Sequence, residues 1–188
     1  YLPKQIHSNK LYYINKKTKK NRVKCDAVIT DQKNIPIGVL TADCAPLILF
    51  DPKKIIISVI HAGWRGAFRG IVNKVLKFFI KKGSRLKDIV VVIGPCISEK
   101  NYQVREDFLK KFLKKDKKNK IFFTFIREKI FFSLKKYLAY QIRETGVKKI
   151  EIINKDTFSS INSYFSARRS LSKKENDYGR NISIIMIN

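Results

Sequence analysis

The sequence predicts a single α/β domain, on three observations. The chain has 188 residues, the length of one ordinary domain. Hydrophobic residues make up 44% of it, enough to build a core. Short Ile- and Val-rich runs alternate with stretches of helical periodicity, and no repeat or linker interrupts them.

Strands are expected at Leu11–Ile14, Ala27–Thr30, Ile37–Thr41, Pro46–Phe50, Ile55–Ile60, Ile89–Ile93, Ile150–Ile153 and Ile182–Ile187. Several are unbroken Ile/Val runs, as in strands buried on both faces. A first helix is expected from about Phe68 to Lys81, with Ile71, Val75, Phe78 and Phe79 on one face and Gly83 as its stop. A second covers about Val104 to Lys115, with Phe108, Leu109 and Phe112 as its stripe. A third runs from about Arg127 to Glu144, where Ile130, Phe131, Leu134, Leu138 and Ile142 repeat at helical spacing and Gly146 ends the pattern. The aromatic stripes read as core, and the basic run Lys114–Lys120 as a solvated turn.

Charge narrows the partners. Lys and Arg total 41 against 15 acidic residues, a net of +26. The lysines are scattered along the chain, and Lys, Ile, Asn and Phe, all abundant, share A/T-rich codons. With no nucleic-acid-binding motif, compositional drift accounts for the charge better than a dedicated nucleic-acid surface, and no specific nucleic-acid partner is expected. The field still favours anionic small molecules. The longest apolar runs, such as Ile55 to Ile60, are too short to span a bilayer, so no membrane partner is expected. Three cysteines, an odd count with no close pair, argue against a disulfide framework and for a reducing, cytoplasmic setting. A monomer is expected.

Polar and glycine residues that packing does not explain fall in three loops. They are Thr41-Ala42-Asp43-Cys44, His61-Ala62-Gly63-Trp64-Arg65-Gly66 and Gly94-Pro95-Cys96-Ile97, each at a strand end. Ligands gather at such strand ends in α/β sheets, so the loops suggest one shared pocket. The chain has only two histidines, His7 and His61, both in loop settings. With Cys44 they make three soft donors and leave a fourth coordination position open, the catalytic kind of zinc site, where a bound water reaches a near-neutral pKa. Spacing alone also allows the bland alternative, a small buried cysteine and two hydrogen-bonded histidines.

The runs Asp26-Ala27-Val28-Ile29-Thr30, Gly38-Val39-Leu40-Thr41-Ala42-Asp43-Cys44-Ala45-Pro46-Leu47 and His61-Ala62-Gly63-Trp64-Arg65-Gly66 resemble the laccase-domain family. Those proteins were first described as multicopper polyphenol oxidases and are now read as purine nucleoside phosphorylases with adenosine deaminase activity, some being called peptidoglycan editing factors. Gln5-Ile6-His7, Gly94-Pro95-Cys96-Ile97 with Tyr102-Gln103-Val104, and Ser166-Ala167-Arg168-Arg169 with Gly179-Arg180 resemble further motifs of the same family. The likeness runs from Gln5 to the last strand. It implies mixed β-sheets flanked by helices in α/β/β/α layers. It also implies zinc, with copper the less favoured ion, on His7, Cys44 and His61, and purine nucleosides and phosphate as substrates. The family begins some tens of residues earlier, and this chain opens at Tyr1-Leu2-Pro3-Lys4 without a Met. The expectation is therefore one catalytic domain over residues 1–188 that lacks an N-terminal segment. Cys25 stands where the family often has Gly, Asn154-Lys155-Asp156-Thr157 replaces a Cys-Thr segment, and Gln103 replaces a Glu. None of these changes touches the metal ligands.

Roles follow by chemistry. Arg65 is the expected phosphate contact, because its planar fork suits oxyanions, the alternative being a structural ion pair. Asp43 is either a general base beside the metal or a turn residue. Gly63 and Gly66 let the backbone approach a ligand or turn sharply. Trp64 reads as packing. Cys96 is a candidate substrate contact, with plain burial as its alternative. Arg168, Arg169 and Arg180 either line the anion side of the pocket or hold the chain end. Four other readings stay open: a copper oxidase, which the histidine count disfavours, a hydrolase of cell-wall (peptidoglycan) precursors, a basic nucleic-acid-binding module, and a metal-free structural homologue.

Overall fold

A computed structural model describes residues 1–18 and 21–188. Its strands are β1 (Leu11–Ile14), β2 (Ala27–Thr30), β3 (Ile37–Thr41), β4 (Ala45–Asp51), β5 (Ile56–Ala62), β6 (Val90–Ile93), β7 (Gln103–Val104), β8 (Phe123–Ile126), β9 (Lys129–Phe132), β10 (Lys149–Ile152) and β11 (Asn181–Ile185). Its helices are α1 (Trp64–Phe68), α2 (Ile71–Lys81), α3 (Glu106–Lys115), α4 (Leu134–Glu144) and α5 (Ala167–Ser172). A six-stranded mixed sheet runs β1-β2-β5-β4-β6-β10, with parallel pairing only at its two edges. β3 and β11 form a second, antiparallel pair, and β7, β9 and β8 a third small sheet.

Side chains alternate across a strand, so an unbroken apolar run supplies both faces. Ile57 and Val59 of β5 join Val28 of β2 in packing against Ile37 and Val39 of β3. Their neighbours Ile60, Ala27 and Ile29 face the helices, against Ile71, Val75 and Phe79 of α2. The predicted strands all exist, with ends shifted by one or two residues. Among the described residues no helix is long and apolar enough to cross a membrane.

The helices required correction. The third was expected from Arg127, yet Lys129–Phe132 is a strand and α4 starts at Leu134. Ile130 and Phe131 fall in phase with Leu134 by coincidence, and their β-branched and aromatic character suits the pairing with β8 and β7. The turn between β8 and β9 places Arg127 and Glu128 at φ 45° and 62°, the two positive values of a type I′ hairpin. That geometry is favoured by Asn-Gly, so Arg-Glu hides it. The first helix is broken at Gly70, whose φ of 74° splits α1 from α2. The second starts at Glu106 because Gln103 and Val104 pair with β9. Lys114 and Lys115 finish α3, and Lys117–Phe122 forms a 3₁₀ helix with its lysines in solvent. α5 lay outside every sequence expectation.

The aromatic stripes are core, as predicted. Phe112 is fully buried, with ring centroids of Phe68, Phe108, Phe132 and Tyr137 within 5.2 Å. Phe112→Ala should lower unfolding free energy by about 3–5 kcal/mol in a denaturant titration. A loss below about 1 kcal/mol would mean the cluster is not the closed core described.

Candidate metal centre

Three distant segments meet beside the middle of the large sheet. His61 is the penultimate residue of β5, directly opposite Pro46 of β4. Cys44 sits in the β3–β4 turn, after Asp43 at φ 82°. His7 lies in the N-terminal loop at φ 54°. One donor atom from each of His7, Cys44 and His61 lies within 4.8 Å of the other two, and Cys44 Sγ is 3.9 Å from His7 Nε2. Metal–ligand bonds of about 2.0–2.3 Å put two ligands of a tetrahedral ion roughly 3.5 Å apart, so this group could bind one ion with little adjustment.

His7 and His61 are brought together by Asp26, which is fully buried just before β2. Its Oδ1 accepts from His7 N at 3.0 Å and pairs with His61 Nδ1 at 2.8 Å. Its Oδ2 accepts from Ser8 N at 2.6 Å and Ser8 Oγ at 2.7 Å. With Nδ1 engaged by a carboxylate, His61 keeps Nε2 for a metal, the usual carboxylate–histidine–metal relay. The Gln5 side chain fastens the same loop to β3, donating to Leu40 O at 2.7 Å and accepting from Leu40 N at 2.8 Å.

Gly63 is required by crowding. A Cβ there would lie 2.9 Å from Cys44 Sγ and 3.1 Å from His7 Cδ2. A Cβ on Gly66 would meet Ser8 O at 2.9 Å. The glycines of the His61–Gly66 loop thus admit the donor-bearing segments, as close backbone approach demands.

Protonation follows from these contacts. Burial alone would raise Asp26, but hydrogen bonds from His61 and Ser8 outweigh it and hold it at about 2. Burial would lower His61, yet Asp26 and Cys44 push it up to about 9. Burial would raise Cys44, yet the two histidines bring it down to about 7. The thiolate that a metal needs is therefore accessible near neutrality.

Two cavities share His7, Ala42, Cys44 and Tyr178. One, of about 350 Å³, is edged by the cations Lys4, Arg22 and Arg180. The other, of about 220 Å³, is walled by Ile97, Tyr102, Leu134 and Leu171, with Asp43 and Arg168 at its polar side. His7 and Cys44 line both cavities, and His61 lines the basic one.

The remaining sequence candidates fall in different places. Asp43 lines the second cavity with both carboxylate oxygens engaged, accepting from Thr157 Oγ1 and from Arg168 N at 2.7 Å each. The Arg168 guanidinium donates to Gln103 O at 3.1 Å and lies 5.5 Å from the Tyr102 ring centroid. Arg169 donates to the carbonyls of Thr157, Phe158 and Tyr164, so it holds a loop. Arg65 is exposed on α1, 5.4 Å from the centroid of the Trp64 ring, and lines neither cavity. Trp64 packs on Phe108 at 4.9 Å. Cys96 is fully buried, its thiol pushed up to about 12 by burial, and lines neither cavity. Cys25 is likewise buried, its thiol pushed up to about 11. Sequence reading missed Asp26 as the orienting acid and missed Lys4, Arg22 and Tyr178. A signal for Asp26 existed, since an acid opening a buried strand needs partners.

Comparison with known proteins gives one consistent answer. The family model described as multi-copper polyphenol oxidoreductase laccase matches residues 1–188. A purine nucleoside phosphorylase of Rickettsia prowazekii is 36% identical over 168 residues, which cover 88% of this chain and 69% of that protein. One from Rickettsia conorii is 37% identical, over 84% of this chain and 65% of its own length. Another, from Aquifex aeolicus, is 36% identical over 85% of this chain and 72% of its own. The chain thus spans about two thirds of the length of these relatives. Among solved structures, the hypothetical protein YfiH of Bacillus licheniformis superposes with a TM-score of 0.89 at 25% identity, over all of this chain and 73% of that one. YlmD of Geobacillus stearothermophilus gives 0.86 at 22% identity, over 99% and 72%, and shares the fold.

Two outcomes test the centre. Asp26→Asn, with its fold checked by circular dichroism, should weaken metal binding about 10–100-fold in a chelator competition. An unchanged affinity would remove Asp26 from its orienting role. In the native protein, binding must displace a proton from His61 and, below about 7, one from Cys44. Affinity should therefore climb as pH rises from about 6 to about 8, and a flat profile would show that other donors hold the ion.

Proposed function

Because the chain belongs to the multi-copper polyphenol oxidoreductase laccase family, we propose that it is a metal-dependent purine nucleoside phosphorylase, with zinc on His7, Cys44 and His61. The observation that carries this reading is the His-Cys-His donor group that lines a basic cavity and, through His7 and Cys44, an apolar one. The names of the relatives supply the reaction class. Two imidazoles and a thiolate suit zinc, and suit copper almost as well. With only two histidines in the chain, multicopper oxidation lacks its ligands.

A divalent ion held there supplies a Lewis acid and a bound water of near-neutral pKa. The protein's own groups do the rest. The purine lies in the cavity of Ile97, Tyr102, Leu134 and Leu171, with Arg168 at its edge. Phosphate is held in the other cavity by Lys4, Arg22 and Arg180, the two guanidiniums turning to it from the backbone carbonyls of Leu2, Pro3, Tyr178 and Gly179 that they now contact. Attack of a phosphate oxygen on C1′ forms the new C–O bond, and the bonding pair of the glycosidic bond leaves with the base. Cations at the phosphate keep it oriented for that displacement. Arg65, exposed on α1 beside Trp64, is the further phosphate contact of this proposal, made when its side chain leaves that ring. Asp43 acts chiefly by position, fixing Thr157 and α5 against the Cys44 turn. Gly63 acts by letting the donors close, and Cys96 by packing behind them. Adenosine deamination in the same pocket is part of the proposal, with Asp43 the acid available to move the proton.

The test is to incubate the metallated protein with adenosine and with inosine, each with and without phosphate, and to resolve the products by chromatography. Free base should appear only with phosphate, and inosine should appear from adenosine. Cys44→Ser and His61→Ala should each abolish both products, while Arg22→Ala should raise the KM for phosphate. A fully metallated sample that forms neither product would overturn the proposal in favour of a hydrolase of another anionic substrate.

A further inference from the structure

A third cavity, of about 750 Å³, is lined by residues next to β1, by the segment before β2 and by α2. Leu11, Val23 and Phe78 supply its apolar lining. Its lysines come from two parts of the chain, Lys10 and Lys24 from the segments before β1 and β2, and Lys74, Lys77 and Lys81 from α2. The three lysines of α2 stand at i, i+3 and i+7, hence on one face and over about 10 Å of axis.

Among the described residues no acidic one lines this cavity. Among the described residues none of the five ammonium groups has an ion-pair partner. The neighbouring lysine behaves differently. Lys82 Nζ donates to Tyr13 Oη at 2.9 Å and lies 3.9 Å from Asp31. The acid available at this end of α2 is thus spent just outside the cavity. Five like charges around one space repel each other and raise the local concentration of anions. The volume is that of a small-molecule site.

We propose that this cavity binds a compact ligand bearing a chain of three or more phosphates, either a free oligophosphate or the triphosphate of a nucleotide. The phosphates lie among the five lysines. In a nucleotide the base rests on Leu11, Val23 and Phe78. The site uses neither the metal donors nor their two cavities, so it stands whether or not the proposed reaction does.

Calorimetric titration of the full chain with tripolyphosphate and with ATP, in magnesium-free buffer of fixed salt, tests this. Both should bind, and binding should weaken as salt rises. Tighter binding of ATP assigns the nucleotide source, and equal binding the free oligophosphate. The triple change Lys74→Ala, Lys77→Ala and Lys81→Ala should weaken both at least tenfold. Lys114→Ala, Lys117→Ala and Lys118→Ala together remove the same charge from a distant turn and should change binding less than twofold. Equal losses in the two triple variants would reduce the effect to net charge and overturn the proposal. So would absence of binding to the native chain, loss of binding only in Arg22→Ala with Arg180→Ala, or preference for long single-stranded RNA over tripolyphosphate.

Discussion

The centre depends on one buried carboxylate. Asp26 has no solvent exposure, and an ion so placed is tolerable only when its lone pairs are filled. The amides of Ile6, His7 and Ser8, the Ser8 hydroxyl and the His61 ring fill them. The same bonds that solve the desolvation problem bind the N-terminal loop to the central strand β5. Two of the three donor side chains are positioned as a consequence. A residue that spacing arguments pass over is thereby the structural root of the site.

The third donor is held by a different device. The Cys44 turn forces Asp43 into left-handed backbone, a conformation that persists only where its surroundings insist on it. They do so through the Asp43 carboxylate, which Thr157 and the first turn of α5 grip from behind. Opposite, Gly63 leaves the space that the Cys44 sulfur and the His7 ring occupy. Rigid strands β4 and β5 hold both sides of this arrangement, since they pair along seven residues. The constellation is preorganised by the sheet, with its strained backbone confined to the loops.

What was legible in the sequence had local causes. Strands β2, β3 and β5 announced themselves because burial on both faces leaves unbroken apolar runs. The donors were legible because so few residues here can bind a soft ion, and the family likeness pointed to the same three. The hairpin of β8 and β9 was illegible because Arg127 and Glu128 occupy φ values that glycine or asparagine normally marks. Ile130 and Leu134 then mimicked a helical repeat across a boundary between strand and helix. Arg65 stands on α1 with its guanidinium 5.4 Å from the centroid of the Trp64 ring, a placement that depends on the helix following the His61 motif. Arg22 and Tyr178 reach the cavity beside Arg180 from loops far apart in the sequence, and that proximity is a product of tertiary packing.

The donors are contributed from positions 7, 44 and 61, which come together only when the loop, the turn and β5 are all in place. An ion on them discriminates between the folded chain and the unfolded one. At a hundredfold excess over its dissociation constant such an ion adds about 2.7 kcal/mol to the folded state. That corresponds to roughly a hundredfold fewer unfolded molecules for proteases to capture. Metal scarcity in the cell would then shorten the lifetime of the molecule itself, so that abundance tracks the supply of the ion.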